Sequence, residues 1–248
     1  MQYKYTVLAA TMAAVAFAQQ NLIGIPTGTK AKPFTQPETI TFFDGKMMEY
    51  GRGKPCGTDD DKGDLEAVFI IKPGGTLQNA IIGADSLEGV HCEGACTIKN
   101  VWFKDVCEDA ITLKGNGPYL ITGGGAQHAK DKVVQHNGKG TVTISDYKIG
   151  AVGKLYRSCG NCSNNGGPRN VVLDRISSFG PGTTSDLVGI NSNYNDVATI
   201  SGVCGPVKNM CQEFTGIEKD GNKESPHREP PIGACKGPQG QLKTAPAC

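Results

Sequence analysis

The sequence predicts an all-β solenoid, a parallel β-helix, and three observations predict it. Composition is the first: 34 glycines and only 6% aromatic residues in 248 disfavour a helical bundle and favour a turn-rich β architecture. Patterning is the second: short runs rich in Val, Ile and Thr are separated by Gly, Asn and Asp, and few windows carry the 3.6-residue apolar spacing of a helix. The third is a weak repeat. Thr76–Ile82 (TLQNAII) has the shape of Thr97–Phe103 (TIKNVWF), 21 positions on, and Thr143–Ile149 (TISDYKI) repeats it 46 positions later. Thr199–Val203 (TISGV) echoes its first half. Stacking such units covers each open strand edge with the next turn and fills the centre with Val, Ile and Leu. Asn or Asp at the corners could then hydrogen-bond from turn to turn. An antiparallel sandwich is the rival, but it needs two-residue hairpin turns, which are scarce here.

In chain order, residues 1–18 read as a signal peptide. Lys4 supplies the positive start, Val7 to Phe17 an apolar and small-residue run, and Ala16-Phe17-Ala18 a cleavage site before Gln19. The run falls short of the ~20 residues of a membrane span, so a secreted, extracellular protein with no membrane partner is expected. Residues 19–248 form its single domain. Loss of the segment removes one charged residue, Lys4, and leaves the mature chain neutral. That balance excludes a broadly basic nucleic-acid surface.

Residues 19–39 are polar and punctuated by Pro and Gly, a lead-in arm. Strands are expected at 67–71, 76–82, 96–103, 110–113, 119–122, 132–135, 141–149, 171–177, 187–191 and 197–203. Residues 204–248 carry four cysteines and six prolines with little periodicity, and read as an irregular tail tied down by disulfides. All ten cysteines lie beyond the cleavage site, which in an oxidising compartment allows up to five bridges. Cys159 and Cys162 have the spacing of a metal or redox pair, but no second close-set pair completes a zinc site. Asn161-Cys162-Ser163 is formally a glycosylation sequon.

The middle third holds the charge that could do chemistry: Glu88, Glu108-Asp109, Asp131-Lys132, Lys154 and Arg157. Glu88 to Asp109 is 21 positions, Glu108 to Lys132 is 24 and Lys132 to Lys154 is 22, each close to one solenoid turn. These residues should therefore stack on one face at successive turns, acids at one end of the stripe and bases at the other. Glu88, Glu108 and Asp109 offer hard oxygen ligands suited to Ca²⁺; soft or imidazole ligands are not gathered there. Lys132, Lys154 and Arg157 suit an anionic polymer. A solvated ladder of surface ion pairs is the plainer reading of the same residues.

Three blocks carry a resemblance: Phe103–Thr112 (FKDVCEDAIT), Asp131–Gly138 (DKVVQHNG) and Gly153–Cys162 (GKLYRSCGNC). In that order they resemble the signature blocks of the secreted pectate lyases of polysaccharide lyase family three, with similarity from about Phe42 to Val203. The resemblance implies a right-handed parallel β-helix that cleaves de-esterified pectin (polygalacturonate) with Ca²⁺; a monomer is expected. It places positions matching Glu88, Glu108 and Asp109 at the calcium site, and positions matching Lys132, Lys154 and Arg157 in the cleft. Glu88 stands where the family sometimes has Asp, which keeps the carboxylate on a longer stem.

The residues fit that chemistry on their own account. β-Elimination removes the C5 proton beside a uronate carboxylate, so cations must hold the enolate-like charge that develops. The base must be neutral when it acts. Lysine can be brought there by desolvation and neighbouring positive charge, whereas arginine is almost never deprotonated. Lys132 is the first choice for base. Arg157 is the second, better suited to clamping a carboxylate, with Asp131, Lys154 and Arg157 along the substrate path. Asp131 would raise the lysine pKa if its side chain approached. His136 is expected to be structural, Trp102 to be core, and Tyr156 is a candidate for stacking on sugar rings. A polygalacturonase-type hydrolase would need paired carboxylates, and Glu108 and Asp109, adjacent in a strand, should point to opposite faces. A non-catalytic plant-wall-binding or elicitor protein should have lost the basic residues, and all three are present.

Overall fold

The computed structural model describes residues 20–54, 56 and 63–248; the expected signal peptide, 1–18, lies outside them. In chain order the strands are β1 (Glu38–Tyr50), β2 (Phe69–Ile82), β3 (Val90–Cys92), β4 (Cys96–Phe103), β5 (Asp109–Leu113), β6 (Tyr119–Gln127) and β7 (Lys132–His136). They continue as β8 (Gly140–Val152), β9 (Lys154–Ser158), β10 (Arg169–Thr183), β11 (Asp186–Asn191), β12 (Ala198–Cys204), β13 (Asn209–Phe214) and β14 (Cys235–Lys236). From β3 onward, odd strands neighbour odd strands and even neighbour even, and β2 joins the two series. Its Phe69–Ile71 lie beside β3 and its Gly75–Ile82 beside β4, both in parallel. That order is the signature of a coiling chain: each turn adds one strand to each face, and the next turn lies on it. The expected parallel β-helix is what forms.

The corners show why this sequence coils. Each long strand bends at a residue with positive φ: Asn79 (52°), Asn100 (53°), Gly123 (66°), Asp146 (52°), Arg175 (52°) and Gly202 (64°). The strand registers stack these residues over one another. Asn, Asp and Gly tolerate the left-handed region best, so the fourth residue of the TLQN, TIKN, TISD and TISG units is the bend itself. Corner asparagines do ladder: Asn100 Nδ2 donates to Asn79 Oδ1 at 2.9 Å and Asn79 Nδ2 to Asp44 Oδ1 at 3.3 Å. Two further rungs, through Gly123 and Arg175, complete the series. Equivalent positions are 21 residues apart from Asn79 to Asn100 but 29 from Asp146 to Arg175. Loops of different length at the other corners cause that drift, and it weakens the repeat in sequence.

Inside, Leu77, Ile98, Ile121, Ile144, Leu173 and Ile200 form one aliphatic column in register, each at most 1% exposed. Burying each contributes about 1.5–3 kcal/mol of transfer free energy. Trp102 is buried as expected, but in a separate cluster where Ile23 and Ile25 of the lead-in arm cover Ile81 and the indole. Its Nε1 donates to Asn100 Oδ1 at 2.9 Å, tying arm cover and corner together.

The cysteines form five disulfides, Cys56–Cys107, Cys92–Cys96, Cys159–Cys162, Cys204–Cys248 and Cys211–Cys235. The Cys159/Cys162 pair is therefore structural. Two bridges tie the tail, as expected, yet the tail is not irregular throughout. Residues 209–214 add β13 beside β11, and 235–236 add β14 beside β12, so the coil runs on past residue 204.

Candidate active site

The first face, built from β5, β7, β9, β11 and β13, carries the charged residues. Its strands begin at a corner and read polar, apolar, apolar, polar: Lys132-Val133-Val134-Gln135, then Lys154-Leu155-Tyr156-Arg157. Both apolar residues of each set are buried, which leaves the first and fourth side chains outside. Register puts Asp109, Lys132 and Lys154 in one column, and Gln135, Arg157 and Gly189 in the next. Solenoid-turn spacing thus gathers four predicted residues, 109, 132, 154 and 157, within two columns of three successive turns, with Asp131 beside them just before β7.

Lys132 sits among carboxylates. Its Nζ lies 2.7 Å from Asp131 Oδ2, 3.2 Å from Asp109 Oδ1 and 4.0 Å from Glu108 Oε1. Burial works to lower its pKa, but Asp109, Asp131 and Glu108 outweigh that and hold it above the ordinary lysine range. The sequence reading expected a lowered value; the approach of Asp131 and of the two acids reverses it. Asp131 is partly desolvated against the cleft wall, but the Lys132 ammonium outweighs this and holds its carboxyl below the usual carboxylate range. Asp109 behaves oppositely. Burial lifts its carboxyl well above that range against the pull of Lys132, and Glu108 and Glu88 add to the rise.

Glu108 precedes β5 rather than lying in it, so the expected splay of Glu108 and Asp109 to opposite faces does not occur. Both reach the same ammonium. Glu88 is buried nearby and faces His91, Oε2 to Nε2 at 3.2 Å, while His91 Nδ1 meets Asp64 at 2.8 Å. As the side chains stand, no three His, Cys, Asp or Glu among the described residues converge tightly enough to grip a metal ion. The donor set nevertheless fits a hard cation: buried Asp109 Oδ1 takes no hydrogen bond beyond its 3.2 Å ion pair with Lys132, and that ammonium occupies a cation's place between Glu108 and Asp109.

Arg157 is differently placed. Burial pulls its pKa down to about 10, and among the described residues it makes no ion pair. Its Nη1 donates to Ser158 O at 2.7 Å and Asn191 Oδ1 at 3.0 Å, its Nη2 to Ser225 Oγ, and it lies 4.0 Å from the centre of the Phe214 ring. A cleft of about 240 Å³ opens over Asp131, Lys132, Lys154 and Arg157, walled also by Gln135 and Phe214.

The aromatic wall was missed in the sequence, where Tyr156 was the stacking candidate. Tyr156 is fully buried, its hydroxyl 2.8 Å from His136 Nδ1, so it cannot meet a sugar. His136 is structural as expected: it is fully buried, and burial pulls its pKa down to about 3. Gln135 could have been found, since it sits one turn before Arg157 in the repeat. Phe214 and Ser225 carry no such signal.

The pectate lyase family profile matches residues 23–221. A probable pectate lyase E of Neosartorya fischeri is 48% identical over 215 residues, covering 86% of this chain and 83% of its own. Pectate lyase H of Emericella nidulans is 56% identical over 187 residues, covering 74% and 70%. Among solved structures, the catalytic domain of pectate lyase PelI from Erwinia chrysanthemi is 31% identical with a TM-score of 0.61, covering 82% of this chain and 92% of its own. The same enzyme in complex with tetragalacturonic acid is 33% identical with a TM-score of 0.58, covering 81% and 64%.

Proposed function

The chain belongs to the pectate lyase family, and on that premise we propose that it cleaves de-esterified pectin by calcium-dependent β-elimination, releasing 4,5-unsaturated oligogalacturonides. The observation that carries this reading is the junction of acids and bases on adjacent turns, with Glu108 and Asp109 meeting Lys132 and the cleft running on to Lys154 and Arg157. Glu88, Glu108 and Asp109 would hold Ca²⁺, which supplies electrostatic stabilisation to the negative charge that develops on the uronate.

Lys132 takes the C5 proton. Arginine at position 157 stays charged near neutral pH even with its pKa at about 10, and its two Nη atoms are already anchored, which suits a carboxylate clamp better than a base. Lys132 is protonated while Asp109, Asp131 and Glu108 surround it, and it can release that proton only when those oxygens are engaged elsewhere. Lys154, one turn on in the same column, offers a second cation to the uronate, and Asp131 orients the base through its 2.7 Å contact.

Purified protein on polygalacturonate tests the reading. Ultraviolet absorbance of the unsaturated uronide should grow, stop in excess chelator and return with Ca²⁺. New reducing ends without that absorbance would establish the hydrolase, and neither signal the wall-binding protein. Secretion is part of the proposal: an intact mass that retains residues 1–18 in the culture fluid contradicts it. Among the described residues, no helix is long and apolar enough to cross a membrane. The cleft lies within one chain, and we propose that the enzyme works as a monomer.

A further inference from the structure

We propose that Ser225 is a positioning residue for Arg157. Carried on the loop that the Cys211–Cys235 disulfide closes, it completes with Asn191 and Phe214 a cage free of carboxylates. The cage fixes the guanidinium's orientation and leaves its charge for the substrate. The inference rests on the reading of Arg157 as a uronate clamp.

Among the described residues, every group that touches the guanidinium is neutral: Ser158 O, Asn191 Oδ1, Ser225 Oγ and the face of Phe214. The inner half of the cage belongs to the solenoid. Asn191 is fully buried, and its Nδ2 donates to Ser158 Oγ and Cys159 O, both at 2.8 Å. Those two bonds turn its Oδ1 toward Arg157. Ser158 Oγ in turn donates to Asp196 Oδ2 at 2.6 Å, so the buried carboxylate behind the cage is joined to Arg157 by hydrogen bonds only through two neutral groups, and it acts on the guanidinium through space, as Asp131 and Asp186 do, without pairing with it.

The outer half comes from the tail. Phe214 ends β13, and Ser225 lies eleven residues further on, beyond the matched residues 23–221. Two glycines make room for the assembly. A Cβ at Gly189 would lie 2.8 Å from Arg157 Cδ, and one at Gly160 would collide with both Ser225 Oγ and Arg157 Nη2. A carboxylate at position 225 would instead pair with the guanidinium in a charge-assisted fork, and each incoming uronate would have to displace it. A hydroxyl accepts the same N–H without cancelling the charge.

Four proteins test this: Ser225→Ala, Ser225→Asp, Arg157→Ala and the Ser225→Ala/Arg157→Ala double variant. Three readouts apply: kcat and KM on polygalacturonate, calorimetric affinity for saturated trigalacturonate with metal chelated, and the ¹⁵N guanidinium signal of Arg157. Ser225 is half-buried on a surface loop, so these changes spare the core. Ser225→Ala should raise KM and weaken trigalacturonate binding about three- to tenfold, the scale of one hydrogen bond to a charged group, with kcat within about twofold and the Arg157 signal averaged. Ser225→Asp should weaken binding further and flatten its salt dependence. In the Arg157→Ala background, Ser225→Ala should add nothing. The proposal is overturned by an unchanged KM in Ser225→Ala, or by an equal loss in the Arg157→Ala background, which would make Ser225 a direct substrate contact. Parental affinity in Arg157→Ala overturns the clamp instead, recognisable because the guanidinium signal still responds to Ser225→Ala.

Discussion

An ammonium held by carboxylates must shed its proton before it can accept another, and this decides what substitution at Lys132 does. Lys132→Arg keeps the charge in a group that stays protonated, so turnover should fall by about three orders of magnitude or more while polymer binding persists. Arg157→Lys keeps charge and loses the fork, so binding and turnover should both fall, by less. Parent activity should climb with pH as the lysine deprotonates. If Lys132→Arg stays within about tenfold of the parent, roughly 1.4 kcal/mol in barrier, and Arg157→Lys is inactive, the two roles exchange. A second residue-scale effect concerns stability. His136 is buried with its pKa at about 3, against about 6.5 in the unfolded chain. Below 6.5 the unfolded chain takes up a proton that the folded one refuses, so this contribution is whole at neutral pH and is lost as pH falls toward the folded value. The slope is about 1.4 kcal/mol per pH unit. Denaturant unfolding of His136→Phe at pH 7 and pH 5 should show a smaller acid loss than the parent; equal losses remove His136 as a cause.

At the scale of the element, the corner residue governs. Asn100 holds a left-handed φ, donates to Asn79, and accepts from the Trp102 indole. Asn100→Val combines a β-branched residue in that region with the loss of both bonds, and should cost about 2–4 kcal/mol in chemical unfolding. Asn100→Gly loses only the bonds and should cost about half as much. Equal costs would mean that the backbone bend is not what the asparagine supplies. The same corners explain what the sequence made legible. The repeat exposed the TLQN-type units because their fourth residue is chemically constrained, whereas Arg175 disguised its rung. β1 was missed because its bend falls at Lys46 and Met47, which do not look like turn residues. β3 was missed because three residues hold no pattern. Lys132, Lys154 and Asp109 were legible because one turn is close to 22 residues. Tyr156 was misread because Leu155 and Tyr156 are buried in succession at the strand's entry, which breaks strict alternation. Phe214 was invisible because the tail adds an unforeseen strand, β13, beside β11, and Ser225 because its loop is closed by a disulfide pairing that cysteine spacing does not encode.

Across the whole molecule, the coil gains stability turn by turn, but its tail is held by cross-links, and the two tail bridges separate stability from function. Cys211–Cys235 spans 24 residues and Cys204–Cys248 spans 44. In the chain-entropy account each should contribute about 3–4 kcal/mol, the longer loop slightly more, which for a chain of this size is about 6–16 °C in Tm. Their reach differs. Cys204 ends β12 on the second face and lines no part of the cleft, whereas the 211–235 loop carries Phe214 and Ser225 to Arg157. Phe214 remains fixed by pairing of β13 with β11 when the bridge is absent, whereas Ser225 is held more lightly, by Thr215 N–H donating to Pro226 O and Asn161 Nδ2 to Lys223 O, both at 2.8 Å, on the loop that the bridge closes. The Cys211→Ser/Cys235→Ser variant should therefore lose thermal stability and also raise KM at 25 °C by the factor seen in Ser225→Ala. Cys204→Ser/Cys248→Ser should lose as much stability or more with KM unchanged. Thermal unfolding and steady-state kinetics on both variants check this. Equal rises in KM would show that removing either bridge loosens the coil generally, and would take away the loop's separate part in holding the arginine.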